Sequence, residues 1–189
     1  MKSKIVVFSG STRAGSFNEK LAALAAANLA ALGAEVTHIS LKDYPLSFVD
    51  GAGFGNHPKE ALALRELFDA HHGMFIACPE YNAGYPALLK NALDWASVAI
   101  PVAPGTSLSG KVIALGAASP GPMGGYRALT QLRTSLELGF GATLVPSMVA
   151  VGNYGAAFKE DGSLSDERTA GFLSATLATL VSMTGKLNA

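Results

Sequence analysis

Residues 4–18 read KIVVFSGSTRAGSFN, and this stretch decides the fold. Its apolar first half predicts a buried strand, and the alanine- and leucine-rich sequence that follows predicts a helix. The first amides of a helix lack internal partners and carry partial positive charge, so a loop at this place favours phosphate. Ser11, Thr12 and Ser16 add hydroxyl donors, and Arg13 adds a guanidinium that suits phosphate oxygens.

A second interpretation needs no ligand. Ser16 and Glu19 have the spacing of a capping box, in which the serine caps the helix start and the glutamate reaches back to it. The loop lacks the GxGxxG dinucleotide pattern and the Lys-Ser/Thr pair of a nucleotide-binding P-loop. The loop alone leaves a capped helix and an anion site of another class both open.

Apolar runs rich in valine and isoleucine alternate with helical patterns along the rest of the chain. The predicted strands cover residues 4–9, 35–40, 73–78, 111–118 and 142–151. The predicted helices cover residues 17–32, 58–70, 86–97, 125–138 and 165–184, with Pro58 and Pro86 at first helical positions. This alternation predicts a three-layer α/β sandwich with a parallel sheet. Ligands of such folds bind beyond the carboxyl ends of the strands, which selects the loops 10–16, 79–85 and 119–124.

Composition predicts one domain over residues 1–189. The chain is 49% hydrophobic, and its 14 basic and 14 acidic residues cancel, which disfavours nucleic acid and anionic membranes as partners. The single cysteine, Cys78, excludes an internal disulfide and fits a reducing compartment. No signal-type stretch opens the sequence, and the apolar run 21–32 is too short to insert into a membrane. We expect a cytoplasmic protein.

The second of the three loops carries the most specific motif. Residues 79–95 read PEYNAGYPALLKNALDW, which resembles the signature of the NAD(P)H-dependent FMN reductase family. The first loop is similar to the phosphate segment of that family, GS-x-R-x-GS-x-N, and the order of elements agrees over essentially the whole chain. The resemblance implies a flavodoxin-like α/β/α sandwich whose five parallel strands have the order 2-1-3-4-5.

The resemblance also implies a cofactor, FMN, with NADPH or NADH as reductant and a quinone, flavin, azo compound or metal ion as acceptor. Members of the family assemble as dimers or tetramers, so we expect a homodimer or homotetramer. The residues that match the family's cofactor contacts lie in the three loops: Ser11, Arg13, Ser16, Phe17 and Asn18; Pro79, Glu80, Tyr81 and Asn82; Ser119, Gly121 and Gly124. The amides from Glu80 to Asn82 are predicted donors to the reduced ring.

The chain departs from the family pattern at a few positions. Gly84 stands where a serine is common, Ala87 where a glycine is common, and Cys78 where many relatives have a small hydroxyl residue. We predict that Cys78 packs in the core rather than serving as a redox thiol. No general acid or base is identified.

Two charged or polar pairs have competing interpretations. His71 and His72 are adjacent, which suits a helix C-terminus better than a metal site. Glu80 and Arg127 are expected either to pair with groups across a subunit interface or to be ordinary exposed charges. The loop 41–57, with three glycines, is predicted to be mobile.

Two other functions remain open beside the reductase. One is a flavodoxin-type electron carrier, although such carriers have a strongly acidic docking face and this chain is neutral. The other is a flavin-free ligand-sensing module, since a fold does not fix a function.

Overall fold

A computed structural model describes residues 2–50, 57–98 and 108–188. Five parallel strands form one sheet with the order β2-β1-β3-β4-β5. The strands are β1 (Lys4–Ser9), β2 (Glu35–Ser40), β3 (Gly73–Ala77), β4 (Val112–Ala118) and β5 (Thr143–Val151). The predicted fold class and strand order are therefore confirmed, with strand ends shifted by at most one residue.

In the described part of the chain, five α-helices cover the two faces of the sheet. They are α1 (Phe17–Ala31), α2 (Lys59–Asp69), α3 (Ala87–Val98), α4 (Tyr126–Thr134) and α5 (Glu167–Leu187). Helices α1 and α5 share one buried apolar cluster, and α2, α3 and α4 share the other. No helix in the described ranges is long and apolar enough to cross a membrane.

The three central strands, β1, β3 and β4, are buried on both faces because a helical layer covers each face of the sheet. Successive side chains of a strand point alternately to the two layers. In β1, Ile5 and Val7 pack toward α1 and α5, whereas Val6 and Phe8 pack toward α2 and α3. Since every second residue faces the same side of a strand, a continuous apolar run supplies both cores.

Four predicted helix starts are wrong, those of α2, α3 and α4 by one residue and that of α5 by two. Pro58 precedes α2 as its N-cap, with ψ of 143°, and its carbonyl accepts from Ala61 and Leu62. Pro86 likewise lies before α3 and accepts from the Lys90 amide. The fixed φ of proline suits both positions, so the sequence does not distinguish them.

The end of α4 also differs from the prediction. A π-helical turn, Ser135–Gly139, follows Thr134. Next to it, the β4–β5 ladder contains a bulge, because Ile113 pairs with Leu144 but Leu115 pairs with Met148. The Arg133 guanidinium donates to the carbonyls of Val145 and Pro146 within the bulge, at 3.1 and 3.2 Å. These bonds fix the end of α4 against β5.

Much of the loop 41–57 is anchored where the structure describes it. The Ser47 carbonyl accepts from Trp95 Nε1 at 2.6 Å and from Asn91 Nδ2 at 2.9 Å. The Val49 amide donates to Asn91 Oδ1 at 2.9 Å. Residues 51–56 of the predicted mobile loop lie outside the described residues.

Candidate functional site

The three predicted ligand loops meet at the carboxyl edge of the sheet. The Gly10 amide, directly after β1, donates to the Ala77 carbonyl at the end of β3 at 2.8 Å. A Cβ on Gly10 would lie 3.1 Å from both Pro79 Cδ and Leu89 Cδ2. Glycine therefore allows the first loop to approach the second loop closely.

The first loop folds on its own polar groups. The Ser11 amide donates to Ser9 Oγ at 3.2 Å, and the Arg13 amide donates to Ser11 Oγ at 3.3 Å. Gly15 adopts a left-handed φ of +69°, and the Ser16 amide closes the turn on the Arg13 carbonyl at 3.1 Å. This folding leaves the Arg13 side chain exposed at the edge of the sheet.

The predicted capping box is wrong. Ser16 is the N-cap of α1, but its side chain makes no capping hydrogen bond. The Glu19 carboxylate lies 2.9 Å from Nε2 of His38 on the neighbouring strand β2, and this contact takes the place of a return to the helix start. The first-turn amides of α1 therefore receive no cap from Ser16, which favours the anion interpretation.

Asn18 joins the first loop to the third. Its Nδ2 donates to the Ala118 carbonyl and its Oδ1 accepts from the Ala118 amide, both at 2.9 Å. The side chain is buried in the first turn of α1. This pair of bonds fixes the helix start against the end of β4.

Phe17 packs against the segment that follows β5. Its ring stacks on Tyr154 with 4.0 Å between centroids and lies 5.8 Å from the Phe158 ring. Lys20 Nζ also lies over the Phe17 ring, 5.0 Å from its centroid. The described contacts of the Phe17 side chain are thus with these rings and this ammonium group, and a cofactor contact of Phe17 stays a prediction.

The second loop forms a tight two-residue turn. Tyr81 and Gly84 exchange both backbone hydrogen bonds at 2.9 Å, and Asn82 and Ala83 between them have φ of 49° and 65°. Positive φ at both central residues is the geometry of a type I′ turn, and it costs Ala83 about 1–2 kcal/mol. Because the turn uses the Tyr81 amide, the prediction of that amide as a cofactor donor is wrong.

Glu80 and Arg127 pair within one chain. The Arg127 guanidinium donates to Glu80 Oε1 through Nε at 2.9 Å and also through Nη2, and the Ala128 amide donates to Glu80 Oε2 at 3.3 Å. The carboxylate is only 8% exposed, whereas the Arg127 side chain is 62% exposed. Glu80 is therefore not an ordinary exposed charge, and that expectation is wrong for it. Pairing of Glu80 or Arg127 with groups across a subunit interface stays a prediction.

The pair of Glu80 and Arg127 predicts how the stability of the fold depends on pH. Hydrogen bonding from Arg127 holds the pKa of the Glu80 carboxyl below its ordinary value of 4.5. A lowered pKa stabilises the fold above 4.5, and this contribution is lost as pH falls through the folded-state pKa. We expect Glu80→Gln to lower the unfolding free energy of the cofactor-free protein at neutral pH, and the deficit to shrink below pH 4.5. Denaturant titrations across pH measure it.

Glu160→Gln is the matched control, because Glu160 is an exposed carboxylate in a surface turn. Its unfolding free energy is expected to follow that of the unmodified chain at every pH. A Glu80→Gln deficit that stays constant in acid would contradict a role for the charged carboxylate.

The third loop packs on the end of β5. The Ser119 amide donates to the Val151 carbonyl at 3.1 Å, and the Gly124 amide donates to the Gly121 carbonyl at 3.1 Å. Ser119 Oγ also donates to Gly121 O at 3.4 Å. Gly124 has φ of +60°, and a Cβ there would lie 2.7 Å from backbone atoms of Ala150 and Val151. This glycine is required both by its conformation and by the close approach.

Cys78 and the two histidines have structural contacts. Cys78 is fully buried in the core, as predicted, and its thiol donates to the Pro79 carbonyl at 3.3 Å. Burial raises the pKa of the Cys78 thiol, and the charge of Glu80 adds to the shift. Both ring nitrogens of His71 contact oxygens, Leu67 O at 2.7 Å and Thr37 Oγ1 at 2.8 Å. His72 Nδ1 accepts from the Lys4 amide at 3.2 Å.

Sequence reasoning missed two polar residues that touch the second loop. Gln131 Nε2 donates to the Ala83 carbonyl at 3.0 Å, and the Tyr85 hydroxyl donates to Ser135 Oγ at 3.3 Å. Gln131 and Ser135 could have been found from their spacing, because Arg127, Gln131 and Ser135 are four residues apart and so share one face of a helix.

Comparisons with known proteins agree with this geometry. The family model described as NADPH-dependent FMN reductase matches residues 3–156. The chain is 36% identical to a quinone reductase of Escherichia coli (strain K12) over 136 residues, 71% of this chain and 70% of that protein. It is 33% identical to an NAD(P)H-dependent FMN reductase of Pseudomonas aeruginosa, over 87% of this chain and 86% of the relative.

A solved structure resembles the whole fold. The flavoenzyme NAD(P)H:(acceptor) oxidoreductase FerB from Paracoccus denitrificans superposes with a TM-score of 0.77 at 28% identity. The match covers 97% of this chain and 98% of FerB.

Proposed function

Because this chain belongs to the NADPH-dependent FMN reductase family, we propose that it oxidises NAD(P)H and reduces a quinone. It is an oxidoreductase that uses FMN as cofactor and NAD(P)H as reductant. The choice of a quinone as acceptor is supported by relatives that are named for quinone reduction and by the exposed surface of the site. A homodimer or homotetramer and a cytoplasmic location stay predictions.

The first loop has the donor set that the phosphate of FMN requires. The first-turn amides of α1 receive no cap from Ser16, and the Ser16 hydroxyl lies at the same helix start. The exposed Arg13 guanidinium adds a fixed positive charge. A dianionic phosphate would satisfy these donors with charge-assisted hydrogen bonds. We therefore assign the phosphate to residues 11–18, with Asn18 as the residue that positions the loop.

The second and third loops supply the surface for the flavin ring. The turn at Asn82 and Ala83 leaves two amides outside its own pair of hydrogen bonds. Tyr81 is 59% exposed beside that turn, and Met123 is 55% exposed in the third loop. Ser119, Gly121 and Gly124 bring the backbone of the third loop to the same edge of the sheet.

The protein contributes positioning and donors. The bound cofactor supplies the electron chemistry between NAD(P)H and the acceptor. The amides of Asn82 and Ala83 would donate toward negative charge on the reduced ring, and the loops would orient two flat molecules against each other. The buried Cys78 thiol donates to the Pro79 carbonyl and its pKa is raised, so it takes no part as a nucleophile.

A quinone is the acceptor class that these features favour. Curated relatives of the chain include quinone reductases of Escherichia coli and Solanum tuberosum. The exposed Tyr81 ring and Met123 side chain offer apolar contact to a flat organic ring, which a hydrated metal ion would not use. The single observation that carries the proposal is this exposed aromatic and thioether pair at the edge that holds the three loops.

Anaerobic stopped-flow reduction followed by a panel of acceptors tests the proposal. We expect NADPH or NADH to bleach the bound flavin, and a benzoquinone or naphthoquinone to reoxidise it faster than free FMN, an azo dye or a ferric chelate. Faster reoxidation by another class would overturn the quinone assignment alone. Failure of both nucleotides to reduce the flavin would instead favour an electron carrier.

Tyr81→Ala provides a variant for the acceptor site. Loss of the exposed ring is expected to raise the KM for the quinone while a ferric chelate is reduced as before. Phe48→Ala is the matched control, because Phe48 is 74% exposed in the loop after β2, which is not among the three loops that form the site. Equal effects of the two substitutions on quinone reduction would contradict a contact through Tyr81.

A further inference from the structure

The second loop is bonded at three points to one face of α4 and of the π-helical turn that continues it. Glu80 bonds to Arg127 and to the Ala128 amide, Ala83 accepts from Gln131, and Tyr85 donates to Ser135. The positions 127, 131 and 135 are successive i, i+4 neighbours, which form a single stripe on a helix. The whole segment from Glu80 to Tyr85 therefore lies along α4.

We propose that the polar stripe of Arg127, Gln131 and Ser135 positions the second loop for the reaction. This inference rests on the proposed function, because it concerns the loop that contacts the ring. The three residues are positioning residues: their described bonds go to loop residues, and the loop presents the amides of Asn82 and Ala83.

The middle contact, between Gln131 and Ala83, depends on the glycine at position 84. A Cβ on Gly84 would lie 3.2 Å from Gln131 Oε1, so glycine at position 84 leaves room for the glutamine to cross the turn. Gln131 Nε2 then reaches the carbonyl of Ala83, the residue held at φ of 65°. Gly84 and Gln131 thus form a matched pair that holds a strained turn in one orientation.

The same helix also follows the third loop. Gly125, at the N-cap of α4, has a left-handed φ of 86°, and a Cβ there would lie 2.7 Å from Ala117 Cβ. Arg133 fixes the other end of α4 to the bulge in β5. The stripe therefore connects the second loop to the helix whose start is set by the third loop, so both loops keep a fixed relation.

Variants of the FMN-bound enzyme test the stripe, beginning with Gln131, where a substitution disturbs the fold least. Gln131 is exposed, so Gln131→Leu removes the bond to Ala83 while the fold is retained. We expect the visible spectrum of the bound flavin to shift and the rate of flavin reduction by NAD(P)H to fall on the order of tenfold, since small misplacements of reacting groups have large effects. The FMN dissociation constant should change less than about threefold, because the phosphate loop is untouched.

Three further variants separate positioning from stability. Thr130→Ala is the control, because the Thr130 hydroxyl bonds only to the Tyr126 carbonyl of its own helix in the described contacts. Its spectrum and rates should match the unmodified enzyme. Arg127→Ala should repeat the Gln131→Leu phenotype, and Arg127→Lys, which keeps a donor for Glu80, should restore most of the rate.

The outcomes distinguish the two proposals. Unchanged flavin spectrum and reduction rate in both Gln131→Leu and Arg127→Ala would overturn the positioning role. A loss of thermal stability with an unchanged spectrum and rate would overturn it as well, since that pattern is purely structural. If the unmodified enzyme is not reduced by NAD(P)H, the proposed function fails, while the spectrum of bound flavin in the variants still reports on the stripe.

Discussion

Replacing Arg13 by alanine is expected to weaken FMN binding roughly 10- to 150-fold. A hydrogen bond to a charged group contributes about 1.5–3 kcal/mol, which corresponds to that change in the dissociation constant. The Arg13 side chain is exposed at the mouth of the first loop, so its removal leaves no buried cavity. Fluorescence titration of the cofactor-free variant with FMN gives the measurement.

Two control variants accompany Arg13→Ala. One keeps a positive charge at position 13, and the other removes a positive charge from another part of the surface. Arg13→Lys should retain part of the affinity, because a lysine supplies charge without the planar fork. Lys59→Ala removes a cation that is 91% exposed at the start of α2 and should leave binding unchanged. Equal affinities for the unmodified chain and Arg13→Ala would place the phosphate away from this loop.

Gly124→Ala is expected to lower the unfolding free energy by roughly 2–5 kcal/mol. The left-handed conformation costs a non-glycine residue about 1–2 kcal/mol, and overpacking adds about 1–3 kcal/mol. Both apply here, since φ is +60° and the new methyl group would lie 2.7 Å from the backbone of β5. Thermal unfolding should show a melting temperature lower by roughly 4–20 °C.

Gly33→Ala separates the two contributions to that loss. Gly33 has φ of +85°, but a Cβ there would meet nothing within 4 Å. This control should lose only the conformational part, about 1–2 kcal/mol. If both variants lose the same amount, the close packing of the third loop on β5 contributes nothing.

The fold was predictable from the sequence because its signals are local. The apolar runs that became β1, β3 and β4 are buried on both faces, so hydrophobicity alone located them within one residue. The helix starts at Pro58 and Pro86 were predicted one residue too early. The one dihedral angle that proline fixes does not decide whether the helix includes the proline. The π-helical turn after Thr134 depends on the fit of α4 against the bulge in β5, which no local pattern encodes.

The site was predictable as a set of loops but not as a set of contacts. The motifs placed the loops at one edge of the sheet, yet the partners of their side chains are distant in sequence. The Glu19 carboxylate contacts the His38 ring, and Asn18 bonds to Ala118, 100 residues away. Glu80 pairs with Arg127 inside the chain, which a pattern of charges cannot distinguish from pairing between chains. Such choices depend on which groups the tertiary fold brings within reach.

The bulge in β5 also bears on how copies of the protein meet. β5 is an outer strand of the sheet, and an outer strand of nine residues offers free amides and carbonyls to a neighbouring molecule. Here Pro146 is exposed in the middle of that strand and has no amide to offer, and Arg133 already occupies the carbonyls of Val145 and Pro146. The feature that seats α4 therefore also protects the protein from edge-to-edge aggregation.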